Sequence, residues 1–120
     1  MILFRGLLVL ILATLIAYTA VVISNHGWNL IAIFFGDMAA MTWPGQFNLD
    51  FMGFLTLSAL WTAWRHEFSP SGIALAVAAF FGGMLFLTIY LLVVSFRVNG
   101  DIKAMLLGRP RSTATPSERK

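Results

Sequence analysis

The chain has 120 residues, of which 59% are hydrophobic and 11% charged, and its net charge is +3. An ordinary soluble domain carries about 25% charged residues and about half apolar ones, so this composition excludes that class and places the protein in lipid. Without a single cysteine, neither a disulfide framework nor a thiolate metal site is available to it.

Residues 2–24 are the first predicted span, apolar throughout except for Arg5, whose long side chain near the helix end is expected to snorkel toward the headgroups. A signal peptide shares the short n-region and apolar core. Tyr18, however, would occupy the minus-three position of a cut after Ala20, where a small residue is wanted. The expectation is a retained helix.

Next comes NHGWNLIAIFFGDMAAMTWPGQ, which contains no Lys or Arg. Its middle, residues 28–43, is too apolar for a plain loop and too short for a span. It predicts an interfacial helix with Trp28, Ile31, Ala32, Phe35, Met38 and Ala39 turned toward the acyl chains.

The second predicted span, residues 47–64, carries Asp50 near its start and closes on Trp61 and Trp64, followed by Arg65, His66 and Glu67. The turn FSPSG leads into the third, residues 73–97. Ile73 to Phe96 holds no Asp, Glu, Lys, Arg or His, and a helix needs about 20 apolar residues to cross the hydrocarbon layer. On it, Ala74, Ala78 and Gly82 recur at four-residue spacing with Gly83 beside them, a small-residue ladder suited to close helix packing in lipid. Residues 99–120 form a basic, largely disordered tail in which Asp101 to Leu107 has room for one or two helical turns before Gly108 and Pro110.

These elements predict an all-α membrane protein: three transmembrane helices in one domain over residues 1–98, with an interfacial helix between the first and second. In a three-crossing chain Arg5 and Arg65 share one face, while Arg97, Lys103, Arg109, Arg111, Arg119 and Lys120 share the other. The positive-inside rule then places the tail in the cytoplasm and the N-terminus outside, against the counter-signal of a first loop free of positive charge.

In that arrangement the end of the first helix, the start of the second and the end of the third meet at one membrane face. Tyr18, Asp50, Tyr90 and Arg97 become candidates for a polar cluster, with Trp61 on the helix face of Asp50 and Arg65 at its far end. Three readings of Asp50 compete. It is a first-turn acid favoured by the helix dipole behind an Asn48 cap, an ion-pair partner of Arg97, or a ligand, proton or headgroup site. The aromatic and small-residue faces around it favour a buried, hydrogen-bonded structural carboxylate. His26, Asp37 and His66 lack metal-ligand spacing, so no metal is expected. No catalytic grouping of Ser, His and Asp, phosphate-binding loop or carboxylate pair is present.

Trp43, Pro44, Gln46, Phe47, Asn48, Leu49 and Asp50, followed by Trp61, Arg65, Glu67, Gly82 or Gly83, and Tyr90, form a pattern. It resembles a family of small, uncharacterised bacterial integral membrane proteins with three predicted spans. The likeness covers about residues 5–95. It implies the three-span fold and singles out Asp50, Trp61, Arg65, Glu67 and Tyr90 without assigning them a reaction.

The expected function is that of an accessory or assembly subunit of a larger membrane complex, packing through helix–helix and aromatic contacts. The alternative is a small membrane-embedded enzyme or transporter of a lipid-like substrate, with Asp50 moving a proton and Arg65 or Arg97 holding an anionic headgroup. No cofactor is implied, though the aromatic surfaces suit bound lipid or pigment. The expected partners are other membrane subunits and, through the basic tail, anionic lipid; nucleic acid is not among them.

Overall fold

Apolar segments in lipid fold as helices because every backbone N–H and C=O must find its partner inside the segment. A computed structural model of the protein describes residues 1–108, and all regular structure in them is helical. The order is α1 (Ile2–His26), α2 (Leu30–Ala39), α3 (Trp43–Arg65), α4 (Pro70–Arg97) and α5 (Ile102–Leu107). By length and composition alone α1 and α4 pass as helices that could cross a membrane, and α3, which holds the predicted second span, is not among them. The part of the predicted tail beyond residue 108 lies outside the described residues.

The helix predicted between the first two spans is present as α2, and it folds back on the start of α3. Gly45 makes this approach possible: a Cβ there would collide with the backbone carbonyl of Asp37. Asn48 Nδ2 donates to the Phe34 carbonyl at 3.1 Å and reaches Asp37 Oδ2 at 3.5 Å. Trp28, Ile31 and Phe35 stay exposed, as a lipid-facing side requires. Helix α3 begins at Trp43 with Pro44 in its first turn, where the missing proline N–H costs nothing.

Ser69 caps α4 by accepting from Gly72 N at 3.1 Å, with Pro70 following at the first helical position. The helix is not straight. Gly83 adopts φ 55° and ψ −135°, a conformation open essentially to glycine. At 1.5 Å per residue an unbroken helix would hold Gly72 and Tyr90 about 27 Å apart. Yet both touch His66: a Cβ on Gly72 would lie 2.6 Å from His66 Cβ, and the Tyr90 hydroxyl lies 2.6 Å from His66 Nε2. Leu75 likewise packs on the cluster of Tyr90, Val94 and Val98. The chain therefore reverses at Gly83 and returns toward its own start. At the tip, the position of a Gly83 Cβ is 3.0 Å from Phe51 Cζ, and a Gly82 Cβ would lie 2.7 Å from Phe86 Cβ.

This reversal changes the role of the predicted ladder. Ala74 and Ala78 face outward, whereas Ala79 and Gly72 are buried, and Gly82 and Gly83 form the turn itself. It also gathers the packing at one end. Tyr90, Val94, Val98, Ala104 and Met105 form the buried cluster, with Phe4, Trp61, Leu75, Phe86 and Leu91 around it. The far end, made by the second half of α1, α2 and the first half of α3, contains almost no buried side chain.

Candidate functional site

The packed end is held by cations that close helix termini. The last carbonyls of a helix have no intrahelical partner, and a positive charge there is favoured by the helix dipole. Arg65 Nε donates to the Met105 carbonyl at 2.6 Å, Arg65 Nη2 to the Ala104 carbonyl at 3.2 Å, and Trp61 Nε1 to the Leu106 carbonyl at 3.1 Å. Together these two residues of α3 cap α5, whose start is capped in turn by Asp101 Oδ1 accepting from Lys103 N and Ala104 N. Arg5 does the equivalent for α4: its Nη2 donates to the Ser95 carbonyl at 2.9 Å, its Nε to Ser95 Oγ at 3.0 Å, and its guanidinium lies 4.0 Å from the Phe96 ring centroid. Arg5 thus fastens α1 to α4; the snorkelling expected of it is replaced by this clamp.

Tyr90 is the hub of the site. Its hydroxyl accepts from Arg65 Nη1 at 3.2 Å and lies 2.6 Å from His66 Nε2, while its ring stacks on Phe86 and meets the edge of Trp61. A hydroxyl that accepts from Arg65 still has its own proton to give, so neutral His66 takes it at Nε2. Burial pushes the His66 imidazole below its ordinary 6.5, and the neighbouring Arg65 charge pushes it the same way.

Beside this network, an open cavity of about 660 Å³ lies between the two arms of α4 and the end of α3. Arg65, His66 and Arg97 stand on its polar side, and Leu75, Phe86, Ile89, Val93 and Val94 line the rest.

Of the residues singled out in the sequence, the fold brings Trp61, Arg65, Tyr90 and Arg97 to this end. Tyr18 and Asp50 are not part of it. The expected meeting of Tyr18, Asp50 and Tyr90 is corrected by the reversal at Gly83, which carries Tyr90 to the opposite end from the start of α3. Tyr18 is 71% exposed on α1. Asp50 is exposed on α3 beside Gly53, Phe54, Thr56 and Leu57, with no hydrogen bond or ion pair among the described residues. The buried carboxylate is thereby overturned, and so is the first-turn acid. Because α3 starts at Trp43, Asp50 lies in its second turn and Asn48 is inside the helix.

The partner that sequence reasoning missed is His66, weighed there only as a metal ligand. His66 is at the packed end while Asp37 is bound up with α2 and α3 at the other, so these residues cannot share an ion. All Lys and Arg among the described residues, Arg5, Arg65, Arg97 and Lys103, lie at the packed end. Asp37 and Asp50 are the charged residues of the far half. Comparisons of the chain with family models, characterised proteins and solved structures gave no match, so its reading rests on its own residues.

Proposed function

We propose that the protein is a multi-pass subunit of a larger cell-membrane complex, with both termini cytoplasmic. If α1 crosses the bilayer from the packed end, α3 crosses back, because α1 starts and α3 ends there while α2 joins their other ends. Helix α4 then enters from the cytoplasmic side and returns to it as a re-entrant hairpin, each arm about 20 Å long against a hydrocarbon layer of about 30 Å. Three helical elements still occupy the membrane, as the resemblance to a three-span family suggests, but the third does not complete its crossing. The clustering of Arg5, Arg65, Arg97 and Lys103 at one end supports this orientation under the positive-inside rule. It replaces the external N-terminus expected of three full crossings.

The observation that carries the subunit reading is Asp50. An ionisable side chain inside a membrane is costly and ordinarily faces a partner or a polar pathway, yet Asp50 looks outward from an apolar strip and its own half of the chain offers no Lys or Arg. A second membrane protein supplying a donor or cation answers both facts. A photo-crosslinker at Leu57, on the Asp50 strip, should give one discrete protein adduct in native membranes, and Asp50→Leu should abolish it. The same crosslinker at exposed Ile73 serves as control. Only lipid adducts from Leu57 would remove the subunit reading.

A further inference from the structure

Beyond that assembly surface, the geometry points to the cavity between the arms of α4 as a binding site for one anionic phospholipid, with an acyl chain between the arms and its phosphate at Arg97.

The two kinds of wall specify an amphiphile. Leu75, Phe86, Ile89, Val93 and Val94 would receive hydrocarbon, and the half-exposed state of Ile89 and Val93 shows that the space opens outward. A small anion gains nothing from such walls, and a neutral chain gains nothing from the rim. That rim holds Arg65, His66 and Arg97, and among the described residues no Asp or Glu lines the cavity. Arg65 has Nε, Nη1 and Nη2 each committed to an oxygen of Met105, Tyr90 or Ala104. Its contribution is therefore a fixed positive field. Arg97 is exposed at the rim, and its guanidinium, with five N–H donors in a planar fork, can meet phosphate oxygens in addition to another partner.

Position agrees with chemistry. Under the orientation above, on which this site rests, the rim lies at the cytoplasmic headgroup level and the apolar walls extend into that leaflet. The reversal at Gly83 is what makes the space: a straight α4 would have one face and no second arm to enclose a chain.

The test is native mass spectrometry of the full chain in mild detergent, titrated with phosphatidylglycerol or with phosphatidylcholine of the same acyl chains. One phosphatidylglycerol should be retained in preference to phosphatidylcholine. Arg97→Gln should reduce that preference about fivefold, the equivalent of about 1 kcal/mol for one basic residue near an anionic headgroup, while Arg97→Lys keeps most of it. Val93→Trp, which fills the space between the arms, should reduce retention of both lipids. Circular dichroism of Arg97→Gln matching the parent shows that the fold is intact. Equal retention of the two lipids by the parent chain, an unchanged preference in Arg97→Gln, or displacement of the lipid by millimolar inorganic phosphate alone would each overturn the site. The crosslink from Leu57 reports on the Asp50 strip of α3, which is no part of the cavity lining, so failure of the subunit reading and failure of this one are told apart.

Discussion

His66 and Tyr90, 24 positions apart, meet at 2.6 Å across the return of α4. The contact exists only because the helix reverses, and its proton arrangement makes the packed end sensitive to pH. Tyr90 gives its proton to neutral His66 while accepting from Arg65; a protonated imidazole has no lone pair at Nε2 and adds a second cation beside Arg65.

The first prediction follows from the sign of that coupling. With His66 held below 6.5 in the folded protein, the unfolded chain binds the proton more readily, so folding stability is complete above 6.5 and falls as pH drops below it toward the folded value. The thermal midpoint in detergent should decline over that window, and His66→Gln should flatten the decline. An equal slope in the variant would assign the pH dependence to other groups.

The second prediction tests the reversal. Spin labels at Ser71 and Val93 would stand about 33 Å apart on a continuous helix at 1.5 Å per residue, and the folded hairpin should bring them well inside that distance. Gly83→Leu forces a side chain into a left-handed backbone and against Phe51, so it should cost about 1–3 kcal/mol in strain and broaden the distance distribution toward the straight form. A single long distance in the parent protein would exclude the hairpin.

The third prediction concerns Arg65. Removing it takes the side-chain donor from the Met105 carbonyl and one of two partners from the Ala104 carbonyl, which also accepts from Gly108 N, and from the Tyr90 hydroxyl, which keeps His66. With charged hydrogen bonds worth about 1.5–3 kcal/mol each, Arg65→Ala should cost about 3 kcal/mol and loosen α5 from α3. Arg65→Lys should restore little, because a lysine cannot present a fork to two carbonyls and a phenol at once. Limited proteolysis at Lys103 reports the release. Unchanged cleavage in both variants would show that α5 is held without Arg65, by burial of Ala104 and Met105 and the Trp61 bond to the Leu106 carbonyl.

The helices themselves were readable from the sequence, since unbroken apolar runs have no other way to satisfy their backbone in lipid. The reversal was not. Gly82 and Gly83 inside such a run read equally as a packing ladder, and only the backbone of Gly83 and the meeting of His66 with both Gly72 and Tyr90 reveal a turn. The early start of α3 was visible in principle: Pro44 is at home in a first helical turn, which moves Asp50 one turn deeper than a start near Phe47 allows. The work of Arg65 had no local signal, because the carbonyls it closes are about 40 residues away.

The fourth prediction is orientation. The chain lacks cysteine, so single replacements report cleanly. Leu3→Cys and Ser117→Cys should both resist an impermeant thiol reagent in intact cells, while Asn25→Cys should react. Labelling of Leu3→Cys with protection of Ser117→Cys would return α4 to a full crossing and place the termini on opposite sides.

The last prediction concerns Asp50 and turns on sign. Along α3 it lies about 22 Å from Arg65, at 1.5 Å per residue. In the proposed orientation that is past the bilayer centre toward the far face, where a carboxylate costs less than the roughly 2.5–3.5 kcal/mol of the centre and is still disfavoured. Among the described residues nothing offsets that cost, since Asp50 has no bond to any of them and their Lys and Arg sit at the other end. For the isolated subunit, Asp50→Leu should therefore raise the thermal midpoint or leave it unchanged. For the assembly the same change should weaken association by about 10- to 100-fold, the equivalent of one lost charged hydrogen bond. Asp50→Asn, which keeps an acceptor but not the charge, should fall between the two. Blue-native electrophoresis from native membranes measures the second effect, and circular dichroism of the purified chain the first. A lowered midpoint in purified Asp50→Leu, with assembly intact, would mean that the carboxylate serves the fold of its own chain.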